Sequence, residues 1–367
     1  MDARGILEHL CAHGTTAPGI AVRIDVGTGA YMRYLEEEIL DGLVERGGAT
    51  VRLYEGEYGG GKTHLLQLVE ETAIARGSAV VRADLSAELH LSDWRGLMRH
   101  TLSEMQVVTE EGQLARGLPA VLASREWDPD LDARLKNLRV PHAGFRDAMR
   151  WYAFSRPSGQ AGNTLRKFLL GDQVPISMLK TAGIKGVKGG VTARNAERVL
   201  QTVALTLNAL GVPALVLLLD ETENVLSKAG RKAILAANIL RRIVDGCTAG
   251  RLSHTFVGLA ILPGTLEQAA LHYPALGQRL QVQERVGGGF RRPVLEIARL
   301  NACDSPDDFL DEAIERIVEL SSELGYASTQ LQAEMRTAGE RVLGAYASGY
   351  RRPLMKELSL LALRGIE

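Results

Sequence analysis

Gly56-Glu57-Tyr58-Gly59-Gly60-Gly61-Lys62-Thr63 matches G-x-x-x-x-G-K-[ST] at every fixed position. Glycines at this spacing tolerate positive φ and bring no Cβ into the loop, so successive backbone N–H groups can turn inward on phosphate oxygens. A helix starting at the lysine adds its partial positive charge. Lys62 could then reach β and γ phosphates while the Thr63 hydroxyl ligates Mg²⁺. The expected cradle runs from Gly56 through His64.

Such a site needs a second half, an oxygen donor at the end of a buried strand, because Mg²⁺ prefers oxygen ligands and keeps several waters. "ALVLLLDETENV" supplies it, with Asp220 as the metal ligand and Glu221 placed to polarise an attacking water. Glu223 is a third acid, either part of the site or a surface charge at a helix start. Thr265, after the run "HTFVGLAILPGT", either senses the γ-phosphate or caps the next helix. Arg279 or Arg285 would serve as an arginine finger in a neighbouring subunit, or would be an ordinary surface arginine. Arg351 and Arg352 open a C-terminal helix, from which a lid arginine could touch the γ-phosphate.

The elements around these residues fit an α/β protein. "ATVRLYEG" (49–56) reads as a strand, "THLLQLVEETAIARG" as an apolar-faced helix and "SAVVRADL" (78–85) as a second strand, together a βαβ unit and hence a parallel sheet. Further strands are expected at 214–221, 254–262 and 294–300, with the strand at 254–262 lying between the cradle strand and the acid strand. The unbroken apolar run before Asp220 suits a central strand covered on both faces, and ligands of open α/β sheets bind at the carboxyl ends of such strands.

Upstream, residues 1–48 read as a helical lead-in containing an extended-looking piece, "GIAVRIDVG", and then a helix in which Met32, Leu35, Ile39, Leu43 and Val44 recur at helical spacing. The core would span 49–300, interrupted at about 90–212 by helical decoration whose segment "LKTAGIKGVKGGVTARN" is among the most basic in the chain. Trp94, Trp127 and Trp151 in that region read as core. Residues 301–367 read as a small all-helical lid, opened by a Ser/Asp cap in "SPDDFLDEAIERIVELSSELG".

Composition narrows the class. Across 367 residues, 43 Lys+Arg oppose 44 Asp+Glu, so no global positive field announces a nucleic-acid binder, and any such surface must be local. Three distant cysteines without CxxC spacing argue against a disulfide scaffold or a cysteine zinc site, and no transition-metal site is expected from the histidines. The N-terminus has no apolar stretch behind a basic one, and the most apolar run is too short to span a bilayer; the expected location is cytoplasmic, without a membrane partner.

In their order, "GEYGGGKTHLL", "LLLDETEN", "NILRRIVDG", "PGTLEQAALHYPALGQRL" and "GYRRPL" make the chain resemble the ATP-binding P-loop proteins of BREX-type bacterial phage-defence islands. More distantly, it is similar to the initiator-like branch of the AAA+ ATPases. Glu223 and Asn238 match positions of that pattern, whereas Thr222 departs from its apolar residue. The resemblance implies an AAA+ P-loop ATPase using ATP and Mg²⁺ and assembling as a homo-oligomer or with other defence proteins. It further implies double-stranded DNA as a candidate partner for a motor or loader; the alternative is a nucleotide-operated switch gating a protein effector.

Overall fold

A computed structural model describes the chain except residues 87, 127, 182–189, 227–229, 285–288, 304, 347–348 and 366–367, with backbone alone at 225 and 281–284. Trp127, Lys185, Lys188 and Arg285 therefore lie outside the described residues.

Alternation organises the sheet. In β5 (Leu215–Asp220) every residue is buried; Leu217 and Leu219 pack on one side of the sheet, Val216 and Leu218 on the other. Successive side chains point to opposite faces, so a continuous apolar strand must be covered twice. β5 pairs in parallel with β2 (Ala79–Asp84) and β6 (Thr255–Ile261), and β6 pairs in parallel with β1 (Ala49–Glu55). β6 thus separates the strand that leads into the glycine loop from the strand that ends in acids, as expected.

Three elements depart from the sequence pattern. The stretch read as helical decoration also contains β3 (Gln106–Val108) and β4 (Leu114–Arg116), an antiparallel hairpin that extends the sheet beyond β2. Three-residue strands are too short to display a period. The strand expected at 294–300 is extended only over β7 (Val294–Glu296); Ile297–Leu300 turns helical and buries Ile297 and Leu300. "GIAVRIDVG" forms a 3₁₀ turn at Val22–Ile24 instead of an extended piece.

The completed sheet has the order β4-β3-β2-β5-β6-β1-β7 and is mostly parallel. On one face pack the helix Lys62–Ala75 and the helical turns Gly29–Tyr34 and Leu35–Val44. On the other lie the helices Trp94–Glu104, Ala196–Ala209 and Arg231–Thr248. Trp94 is buried in that second core and Trp151 packs against it.

A separate apolar core joins the two ends of the chain. Ile6, Leu7 and Leu10 of the helix Ala3–His13 pack among Leu310 and Ile317 of Pro306–Glu323, Met335 of Thr329–Ala345 and Leu358 of Arg351–Arg364. The Ser305 cap expected from sequence is a full capping box, with the Ser305 side chain accepting from Asp308 N–H and the Asp308 side chain accepting from Ser305 N–H. Among the described residues no helix is long and apolar enough to cross a membrane.

Candidate functional site

β1 ends at Glu55 and the helix Lys62–Ala75 starts seven residues later, so the glycine loop must reverse direction in very few steps. Gly59 and Gly61 do so at φ of 73° and 94°, a region strained for residues with a Cβ. A Cβ at Gly60 would stand 3.0 Å from Glu57 O, a tight contact that the loop would have to shift to relieve.

Lys62 curls back over this loop. Its Nζ donates to Gly56 O at 2.9 Å and Glu57 O at 3.1 Å and lies over the exposed Tyr58 ring. Burial lowers the Lys62 pKa, opposed by the negative charges of Glu223, Asp220, Glu57 and Glu221. The ammonium is therefore held where it is poorly solvated and ready for an anionic partner.

Thr63, one residue on, faces the second half of the site. Its Oγ1 donates to Asp220 Oδ2 at 2.8 Å, closing a distance of 157 residues in sequence. Asp220 is buried at the carboxyl end of β5; its Oδ1 accepts from Glu221 N–H at 2.9 Å, and Arg82 of β2 lies 3.7 Å from Oδ2. Glu221 adopts φ of 55°, uncommon for a non-glycine residue, and its Oε2 accepts from Asn224 Nδ2 at 3.1 Å. The same amide donates to Leu85 O, tying Glu221 to the loop after β2.

Thr222, where the resembled pattern has an apolar residue, is fully buried and donates through Oγ1 to Ala260 O of β6. That bond satisfies the hydroxyl and pins the acid-bearing turn to the neighbouring strand. Glu223 is buried against the site, and desolvation raises its pKa.

These residues border a cavity of about 250 Å³ whose wall includes Glu57, Tyr58, Gly59, Gly61, Lys62, Thr63, His64, Asp220, Glu221, Glu223, Arg351 and Arg352. Arg351 Nη1 donates to Gly60 O at 3.0 Å and its guanidinium stacks on Phe309, so the C-terminal helices touch the glycine loop directly. Arg352 Nε donates to His13 O at 2.9 Å. Thr265 and Arg279 do not line this cavity. Thr265 is buried at the first turn of Thr265–His272, where Gly264 is the capping residue, and Arg279 pairs with Asp245 at 2.9 Å.

The opposite chemistry comes from residues that sequence reasoning passed over. Leu10, Ile24, Val26, Ile297, Phe309 and Met355 give the same cavity an apolar wall, with Thr15, Thr16 and Thr28 among them. They come from both ends of the chain, and no local spacing links them. The cavity thus sets a charged floor, where Lys62, Arg351 and Arg352 face Glu57, Asp220, Glu221 and Glu223, against apolar surface, a combination that suits a molecule with phosphates, a bound cation and a flat ring. The donor set at Thr63 and Asp220, one hydroxyl and one carboxylate, fits Mg²⁺ completed by phosphate oxygens and water. Among the described residues no group of three or more His, Cys, Asp or Glu is arranged to hold a metal without such help.

A family model described as BREX system ATP-binding protein BrxC/D matches residues 2–127 and 122–337. No curated protein and no solved structure matches the chain significantly.

Proposed function

The chain belongs to the BREX system ATP-binding protein family, BrxC/D, and on that premise we propose that it binds ATP with Mg²⁺ in the cavity between the glycine loop and the acid strand and hydrolyses it. The observation that carries this is the Thr63–Asp220 hydrogen bond at 2.8 Å beside the folded-back Lys62, which unites the two halves of a phosphate and metal site. The backbone of residues 59–63 cradles the phosphates and Lys62 leaves its two carbonyl partners for β and γ oxygens. Thr63 and Asp220 would hold Mg²⁺, which when bound would supply neutralisation of the charge on the transferred phosphoryl group. Glu221, oriented by Asn224, accepts a hydrogen bond from the attacking water and polarises it. Leu10, Ile24, Val26 and Phe309 take the faces of the base.

The parallel sheet order and the C-terminal helices support assignment to the AAA+ type, with residues 301–367 as a lid. Arg351 is the lid residue that reads the γ-phosphate from the C-terminal side, with Arg352 beside it; Arg279, exposed on its helix, is available to a neighbouring subunit once its pair with Asp245 opens. Assembly as a homo-oligomer, or with other defence proteins, follows from that role.

ATP-driven movement of the helical unit would act on double-stranded DNA. Residues 151–196 hold seven Lys and Arg against one acid, Asp172, in a chain of net charge −1, and Arg156, Arg166, Lys167, Lys180 and Arg194 are exposed. Basic side chains concentrated in one segment supply the phosphate contacts that nucleic-acid binding requires.

Steady-state ATP turnover, with and without double-stranded DNA and with Glu221→Gln as control, tests the proposal. A Glu221-dependent rate that DNA raises several-fold supports a DNA-associated motor or loader. Slow turnover indifferent to DNA favours a nucleotide-operated switch that gates a protein effector. Full activity in Glu221→Gln assigns the water to another residue.

A further inference from the structure

Three side chains on one stripe of the helix Lys62–Ala75 reach across to the segment that joins Ala3–His13 to the sheet. His64 Nδ1 lies 2.9 Å from Thr16 Oγ1, and the buried Gln67 donates through Nε2 to Thr16 O at 3.1 Å. Glu71 accepts from Ala21 N–H at 2.9 Å through one carboxylate oxygen and from Val22 N–H at 3.1 Å through the other. Positions 64, 67 and 71 follow the i, i+3, i+7 spacing of a single helix face. The helix that carries Lys62 and Thr63 at its first turn therefore also grips residues 16–22.

That segment forms little regular structure of its own. Its 3₁₀ turn, Val22–Ile24, has no side-chain cap from its own N-cap residue, Ala21. Glu71 supplies the acceptor from outside, placing a negative charge on the free N–H groups where a helical turn is partially positive. Immediately beyond the gripped residues, Ile24 and Val26 form part of the uncharged wall of the cavity, and Thr16 lies on the same wall. A wall built from a loop offers a defined surface only if something holds the loop.

We propose that Glu71 and Gln67, which lie outside the cavity, together with His64 on its wall, hold residues 16–26 as a preformed surface for the base of the bound nucleotide. The proposal rests on the ATP-site reading above. Ordering the loop before binding removes an entropic term that would otherwise oppose affinity for the base and leaves phosphate affinity alone. The grip therefore separates two ligands that share phosphates: one that carries a purine and one that does not.

Calorimetric titration of the full chain with ATP and with inorganic tripolyphosphate, both in Mg²⁺, tests this. In Glu71→Ala, ATP binding should weaken about tenfold while tripolyphosphate affinity stays within about twofold. Glu71→Gln, which keeps an acceptor oxygen, should recover most of the loss. Gln67→Leu, which removes the amide donor to Thr16 O from a residue outside the cavity, should weaken ATP alone by a smaller factor, and it provides the same comparison if Glu71→Ala does not fold. Equal loss of both ligands, or unchanged ATP affinity in all variants, overturns the proposal while leaving the ATP site standing. A wild-type chain that binds neither ligand overturns the site and the proposal together.

Discussion

Replacing Lys62 with alanine removes the cation on which the phosphate site turns, and its effect can be sized from the surroundings. Nζ sits 2.9 Å and 3.1 Å from two loop carbonyls, and the residue is 8% exposed, so the ammonium is already stripped of most of its water before any ligand arrives. A phosphate oxygen carrying unit charge about 4 Å away would gain about 4 kcal/mol at an effective dielectric near 20. Water entering the space left by the side chain, and the remaining N–H donors, recover part of this, which gives a working loss of about 2–4 kcal/mol. That corresponds to an ATP dissociation constant roughly 30-fold to 1,000-fold higher. The neighbouring charges act in the same direction: Glu57, Asp220, Glu221 and Glu223 all favour the charged lysine, and without it their repulsion of the phosphates is less offset. Calorimetric titration with MgATP gives the constant directly, and circular dichroism confirms that the variant is folded. A folded Lys62→Ala chain whose affinity stays within about threefold of wild type would refute the assignment of this loop as the phosphate cradle.

Glu223→Gln should raise the melting temperature of the ligand-free chain at neutral pH. Burial raises the pKa of Glu223, so the native state binds its proton more tightly than the unfolded state; the resulting destabilisation is absent below the unfolded value of about 4.3, grows as pH rises through it and is constant above the raised folded value. The gain should therefore vanish near pH 3.5, and a gain independent of pH would assign it to packing. Leu7→Ala, at a fully buried position between the chain's two ends, should lose about 2–5 kcal/mol in urea unfolding; a loss under 1 kcal/mol would show that the first helix is dispensable to that core. Arg166→Glu with Lys167→Glu should weaken double-stranded DNA binding and flatten its dependence on salt, each lost phosphate contact lowering the slope by about 0.9. Unchanged slope and affinity would remove this segment from any DNA surface.

What the sequence determined by itself is what local period and spacing can carry. The glycine loop between 49–55 and 62–75 is legible because the strand, the loop chemistry and the helix are contiguous, and the acid strand because a run from Leu215 to Leu219 without a polar residue demands cover on both faces. The parallel sense of β1, β2, β5 and β6 follows from the crossover connections between them, and their order β2-β5-β6-β1 is what the expected place of 254–262 between cradle and acid strands describes. The pairing of Thr63 with Asp220 was legible too, from the motif chemistry, and the fold adds the direct 2.8 Å hydrogen bond between them. The fold alone brings Ala3–His13 to the C-terminal helices, because each has an apolar face that cannot be buried alone. The apolar wall formed by Leu10, Ile24, Val26, Phe309 and Met355 is the product of that meeting. Such contacts leave no trace in spacing, since packing constrains the volume and polarity of each partner and says nothing about its distance along the chain.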